Sequence, residues 1–190
     1  MDPGARVEPK NLPVVVIVHG GPWSRDFIQW DPEVQVLANR GFAVLQDNFR
    51  GSTGFGKELL EAGYREWGQK VQDDISDDKW YDWGYEWHQT MVGGERGDQE
   101  RLRQASPLRN VANVTAPILL GHGEDDQRVH VRQSRRMAEA LRKAGKEVQY
   151  LEFPNEIHDF LLEANRVQWY EALVAFFEKN LTPRVRPASP

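Results

Sequence analysis

The chain has 190 residues and a mass of 21.9 kDa, enough for one domain with a real core. Its net charge of −5 and isoelectric point near 5.6 argue against nucleic acid as the main partner, because the basic residues are scattered among carboxylates and form no stripe. The absence of cysteine excludes disulfides, thiolate metal sites and cysteine nucleophiles; no apolar run reaches membrane-span length, and the first residues lack a signal-peptide layout, so the cytoplasm is the default expectation.

In chain order, Met1–Pro13 is a polar lead-in with three prolines. Val14–Val18 (VVVIV) follows as an unbroken branched apolar run, which predicts a parallel strand buried on both faces. His19-Gly20-Gly21-Pro22 then lies at the carboxyl end of that strand, where open α/β sheets place their ligands. Glycines there leave backbone N–H groups able to face a developing negative charge, although a plain exit turn would also use them.

Trp23–Trp30 reads as a loop. Asp31-Pro32 opens a helix with an N-cap carboxylate and a proline at its first position, Val34, Leu37 and Ala38 form its apolar side, and Gly41 closes it. Phe42–Leu45 (FAVL) is a second buried strand, completing a strand–helix–strand unit. The glycine-rich Phe49–Gly56 (FRGSTGFG) is irregular and lacks the Gly-Lys-Ser/Thr ending of a phosphate loop. From Lys57 to about Asp78 the pattern is helical, interrupted by Gly63 and Gly68. The carboxylates Asp73, Asp74, Asp77 and Asp78 read as a solvated face rather than a cation site.

A third strand is due next, and Lys79–His88 (KWYDWGYEWH) supplies none. Its alternating aromatics suit a cover over an apolar surface, or a stacking platform for bases or sugars. The strand–helix alternation resumes at Pro117–Leu120 (PILL), continues through a helix over Val131–Ala144 stopped by Gly145, and a strand over Glu147–Phe153, and ends in a helix over about Asn165–Leu181. Thr182–Pro190 is a Pro/Arg tail expected to be disordered.

Four motifs in this order, HGGP, NFRGSTGFG, HGEDDQRV and PNEIHDF, resemble the catalytic domain of the prolyl oligopeptidase family, and its acylaminoacyl-peptidase-like branch in particular. The resemblance runs from Leu12 to about Leu181 and implies an α/β-hydrolase fold. It also implies cleavage of short or N-acylated peptides, or small esters and amides, through an acyl-enzyme, with no cofactor and no metal. By the same resemblance Asp126 is the acid of a catalytic triad, His158 the general base, and Gly20 or Gly21 an oxyanion-hole donor. The order of acid before histidine is that of α/β-hydrolases. His19 and His122 are expected to support the loops. A zinc site from His19, His122, Asp126 and His158 is conceivable by residue type, but its spacing matches no zinc motif.

The nucleophile breaks the pattern. Ser24, Ser52, Ser76, Ser106, Ser134 and Ser189 are the serines, and none sits in a G-x-S-x-G elbow. The elbow's strand, serine and helix should fall between Asp78 and Lys79, so the chain looks like a family domain with its centre deleted. The expected fold is a reduced α/β-hydrolase, with a mostly parallel, doubly wound sheet of about four strands and helices on both faces. Residues 1–181 form its single domain, and the strand order is FAVL–VVVIV–PILL–VQYLEF. Three functional readings follow: a serine-type peptidase domain that is inactive alone, a non-catalytic remnant or small-ligand module using the switch-point crevice, and a half-site completed by another chain. Apolar surface bared by the lost elements would favour self-association.

Overall fold

The computed structural model describes residues 12–21, 23–64 and 106–181. The acidic stretch 73–78, the 78/79 junction, the aromatic segment 79–88 and the tail 182–190 lie outside the described residues. In chain order the elements are β1 (Val14–Val18), α1 (Pro32–Asn39), β2 (Ala43–Asp47) and α2 (Lys57–Glu61). Two single 3₁₀ turns, Pro107–Arg109 and Val111–Asn113, then lead into β3 (Ile118–Gly123), α3 (Arg132–Lys143), β4 (Val148–Phe153) and α4 (Glu163–Leu181).

Local chemistry sets the helix ends as the sequence predicts. The Asp31 carboxylate accepts from the N–H groups of Glu33 at 2.8 Å and Val34 at 3.1 Å, satisfying two donors of the first turn of α1. Past the helix ends, Gly41 and Gly145 take φ of +88° and +70°, which favours glycine at both stops. Of the apolar side expected on α1, Leu37 is fully buried while Ala38 is exposed.

The sheet departs from the expected single layer. β1 pairs in parallel with β2, Val14 opposite Ala43 through Val18 opposite Asp47. β3 pairs in parallel with β4, Ile118 opposite Val148 through Gly123 opposite Phe153. Among the described residues no ladder joins β1 to β3, so the PILL strand does not take the slot beside VVVIV. The two pairs share a core instead, because α4 spans both. Its Leu173 is buried with Val15 of β1, Leu37 of α1 and Phe42, while Leu119 of β3 packs on the same cluster. At ~1.5 Å per residue, nineteen helical residues reach ~28 Å, so one apolar face can serve both pairs without a continuous sheet.

β1 is likewise not buried on both faces. Val15 is buried and Ile17 half-buried, but Val14, Val16 and Val18 are exposed, and Leu45 opposite Val16 is exposed too. Helices α1 and α4 cover only the Val15 side. In contrast β3–β4 is covered on both faces. Leu119 and Gly121 face α4, where the Trp169 ring lies so close that a Cβ on Gly121 would come within 2.6 Å of it. His122, on the opposite side, bonds Ser134 of α3.

Candidate active site

Two loops at the carboxyl ends of β3 and β4 build the site. β3 runs three residues beyond the expected PILL segment, through Gly121, His122 and Gly123, and the chain then turns back into Asp126. β4 ends at Phe153, and Asn155 takes a left-handed φ of +59° to turn the chain toward His158. Because adjacent parallel strands finish side by side, residues 32 apart in sequence meet in space.

The loops are locked backbone to backbone. Glu124 N–H donates to Phe153 O and Asp125 N–H to Glu156 O, both at 2.9 Å. A Cβ on Gly123 would lie 2.3 Å from Ile157 O and 2.4 Å from Glu156 O, so only glycine fits there. Beneath the turn, the Glu156 carboxylate is 1% exposed and accepts from Leu161 N–H at 2.7 Å, Leu162 N–H at 2.9 Å and the Asn165 amide at 2.9 Å. Burial alone would raise the Glu156 carboxyl pKa, but the bonds from Leu161, Asn165 and Leu162 outweigh it and hold it below the usual range. Glu156 therefore clamps the turn that carries His158 onto the start of α4. Sequence reasoning did not single it out, although the acidic residue inside PNEIHDF, two before the histidine, was the available signal.

Asp126 and His158 are brought together. Asp126 Oδ1 accepts from Arg128 N–H at 2.8 Å and Val129 N–H at 2.9 Å, which fixes the carboxylate plane. Its other oxygen, Oδ2, lies 2.8 Å from His158 Nδ1. Burial again pushes the carboxyl pKa up, and the Val129 N–H, the His158 ring and the Arg128 N–H more than compensate, so it stays below the ordinary value and ionised. An ionised carboxylate only accepts, so His158 Nδ1 carries a proton, and in the neutral ring the lone pair is on Nε2. The Asp126 side chain is 4% exposed and that of His158 43% exposed, so a buried anion backs a ring open to solvent. Among the described residues no hydroxyl is hydrogen-bonded to His158 Nε2.

The two other histidines support their loops. The His122 ring donates from Nε2 to Val129 O and accepts at Nδ1 from Ser134 Oγ, both at 2.7 Å, and its Nε2 also lies 3.4 Å from Asp126 Oδ2. His19 donates from Nδ1 to Gly20 O at 2.7 Å, accepts at Nε2 from the buried Ser52 hydroxyl at 2.9 Å and stacks on Phe49 with centroids 4.4 Å apart. Ser52 and Ser134 thus serve other histidines, not His158. Gly20 and Gly21 follow β1 as expected, and neither N–H donates a hydrogen bond among the described residues. The contacts tie their loop to Ser52 and Phe49 rather than to the Asp126–His158 pair. Among the described residues no group of three or more His, Asp or Glu is arranged to hold a metal ion, the combination with His19 included, and no helix is long and apolar enough to cross a membrane.

Comparison with known proteins places this geometry. The profile of the prolyl oligopeptidase family matches residues 28–77 and again 75–184, two stretches that meet at 75–77. Dipeptidyl aminopeptidase BIII of Pseudoxanthomonas mexicana is 29% identical over 236 aligned positions, covering 93% of this chain and 34% of the relative. Those positions outnumber the 190 residues of the chain, so part of the relative stands opposite gaps. A puromycin-hydrolyzing peptidase of Mycobacterium tuberculosis superposes with a TM-score of 0.83 and 26% identity, over 97% of this chain and 36% of that one. The acylaminoacyl peptidase of Pyrococcus horikoshii, 22% identical, shares the fold at a TM-score of 0.81, over 97% and 39%. The chain spans about a third of the length of the relatives it matches.

Proposed function

Since the chain belongs to the prolyl oligopeptidase family of α/β-hydrolase peptidases, we propose that it keeps the acid and base of a serine-type peptidase and lacks the nucleophile they serve. Asp126 holds His158 in the Nδ1–H tautomer and would stabilise the imidazolium formed when Nε2 takes a proton. Gly20 or Gly21 would offer an N–H to the oxyanion, a donor typically worth about 3–4 kcal/mol of barrier. The substrate class that a complete site of this kind would take is short or N-acylated peptides, in keeping with the acylamino-acid-releasing enzyme among its relatives. Location is cytoplasmic, and nucleic acid is not a partner.

The observation that carries the proposal is the 2.8 Å bond between His158 Nδ1 and Asp126 Oδ2, with no hydroxyl on Nε2 among the described residues. Two further findings support a loss between residues 78 and 79. The family profile breaks and restarts at 75–77, and the alignment with the bacterial relative is longer than the chain. A deletion there would also explain why β1 and β3 do not pair, since strands that belong between them would be gone. The chain alone should therefore not cleave peptides. A fluorophosphonate probe tests this: the intact chain should remain unlabelled, and a labelled serine would overturn the proposal.

A further inference from the structure

We propose that His158, with no serine to activate, is itself the nucleophile toward activated acyl groups, giving this chain a weak esterase activity confined to good leaving groups. The inference rests on the reading that no hydroxyl serves His158. In a serine enzyme the Nε2 lone pair is committed to a hydroxyl proton. Here it has no hydroxyl partner among the described residues, on a ring 43% exposed, while Nδ1–H stays on the buried Asp126 carboxylate. That carboxylate is anchored by two backbone N–H groups and the turn bearing the ring by Glu156, so attack need not first order either group. Ile157, Leu161 and Leu162 of the same turn are exposed, an apolar setting that suits an acyl or aryl group better than a charged one.

The steps balance without an added reagent. Nε2 attacks the carbonyl carbon of p-nitrophenyl acetate, a C–N bond forms, the C–O bond to the aryl group breaks, and p-nitrophenolate leaves. The acyl-imidazolium keeps its Nδ1 proton against the Asp126 carboxylate, which offsets the new positive charge. Water then adds to the acyl carbon, acetate departs with the release of two protons to solvent, and Nε2 recovers its lone pair. Amides are not substrates, because an amine is a far poorer leaving group than imidazole and the tetrahedral adduct expels the ring.

The test uses the intact chain and p-nitrophenyl acetate. Continuous p-nitrophenolate release is expected, many equivalents per chain and at least about tenfold faster than with an equal concentration of 4-methylimidazole, a modest share of what a positioned acid–base group supplies. Hydroxylamine should intercept the acyl group, and mass spectrometry of a rapidly quenched sample should place it on the peptide carrying His158. His158→Gln should abolish turnover and leave only single-hit acylation of lysines. Asp126→Asn keeps an oxygen for the Arg128 and Val129 N–H groups but presents an N–H to the ring, so it should lower the rate at least about tenfold by switching the tautomer. Turnover that survives in His158→Gln, or proceeds with no adduct on that peptide, would overturn the inference. If a fluorophosphonate instead labels a serine and stops the reaction, it is the reading without a nucleophile that fails, and this inference with it.

Discussion

The β1–β2 and β3–β4 halves are built from the same unit, a parallel strand pair joined by a helix, yet only one is finished. β3–β4 has α3 on one face and α4 on the other, with Phe153, Leu141 and Ala138 buried. β1–β2 has helices on the Val15 side alone, and its other face shows Val14 at 56% and Val16 at 52% exposure. The difference follows from where the covering segments lie in the chain. Among the described residues, everything that wraps β3–β4 lies between residues 106 and 181, whereas β1–β2 depends on α4 from the far end and has nothing for its second face. The Asp126–His158 contact sits in the half that is covered on both faces, and so it can assemble while the other half stays open.

The largest effect should come from separating the two loops of the β3–β4 half. Gly123→Ala would drive a methyl into the backbone oxygens of Ile157 and Glu156, which cannot rotate away. It should cost about 3 kcal/mol and lengthen the His158–Asp126 contact, read as a shift in the denaturation midpoint. An unchanged midpoint would mean that the loops are not locked. A smaller loss should come from Glu156→Gln, about 1–3 kcal/mol, because an amide cannot accept from all three donors that face the carboxylate.

The same half should show its carboxylates in acid. Asp126, Glu156 and Glu152 all have folded pKa values below their ordinary ones, Glu152 at about 2 chiefly because of its bidentate bond from Arg135 at 2.8 and 2.5 Å. A depressed folded pKa stabilises above the unfolded pKa, and the benefit is lost as pH falls through the folded one. Melting temperature should therefore hold down to about pH 4.5 and then fall toward about pH 2. Glu156→Gln should flatten part of that fall, and a fall already complete above pH 5 would contradict the assignment.

The smallest effect belongs to the open half. Val16→Lys should change stability by no more than about 0.5 kcal/mol, since its side chain already meets solvent. The bare face is also where copies of the chain would associate, so the lysine should reduce any self-association seen by sedimentation. A loss of several kcal/mol would show instead that the face is covered within the chain.

Much of this was legible beforehand, and the failures have physical causes. Asp31, Gly41 and Gly145 announce helix ends because capping chemistry is local. The meeting of Asp126 with His158 was readable because each follows a strand and sits in a recognisable motif. Residue types cannot tell a strand that is buried from one that would be if its cover were present, so VVVIV predicted two covered faces and has one. The strand order failed for the same reason: pairing β3 beside β1 assumed that the sheet closes its gap, whereas α4 holds both pairs through Leu173 and leaves them unladdered. Glu156 was missed because its role depends on N–H groups five and six residues ahead, which no periodicity marks.

Nitrogen-15 NMR of the neutral His158 ring reads most directly whether Nδ1 is engaged by Asp126 while Nε2 keeps its lone pair. Predicted are a protonated Nδ1 with a far-downfield proton that disappears in Asp126→Asn, and an unprotonated Nε2. A ring protonated at Nε2, or an Nδ1 proton indifferent to Asp126→Asn, would contradict it.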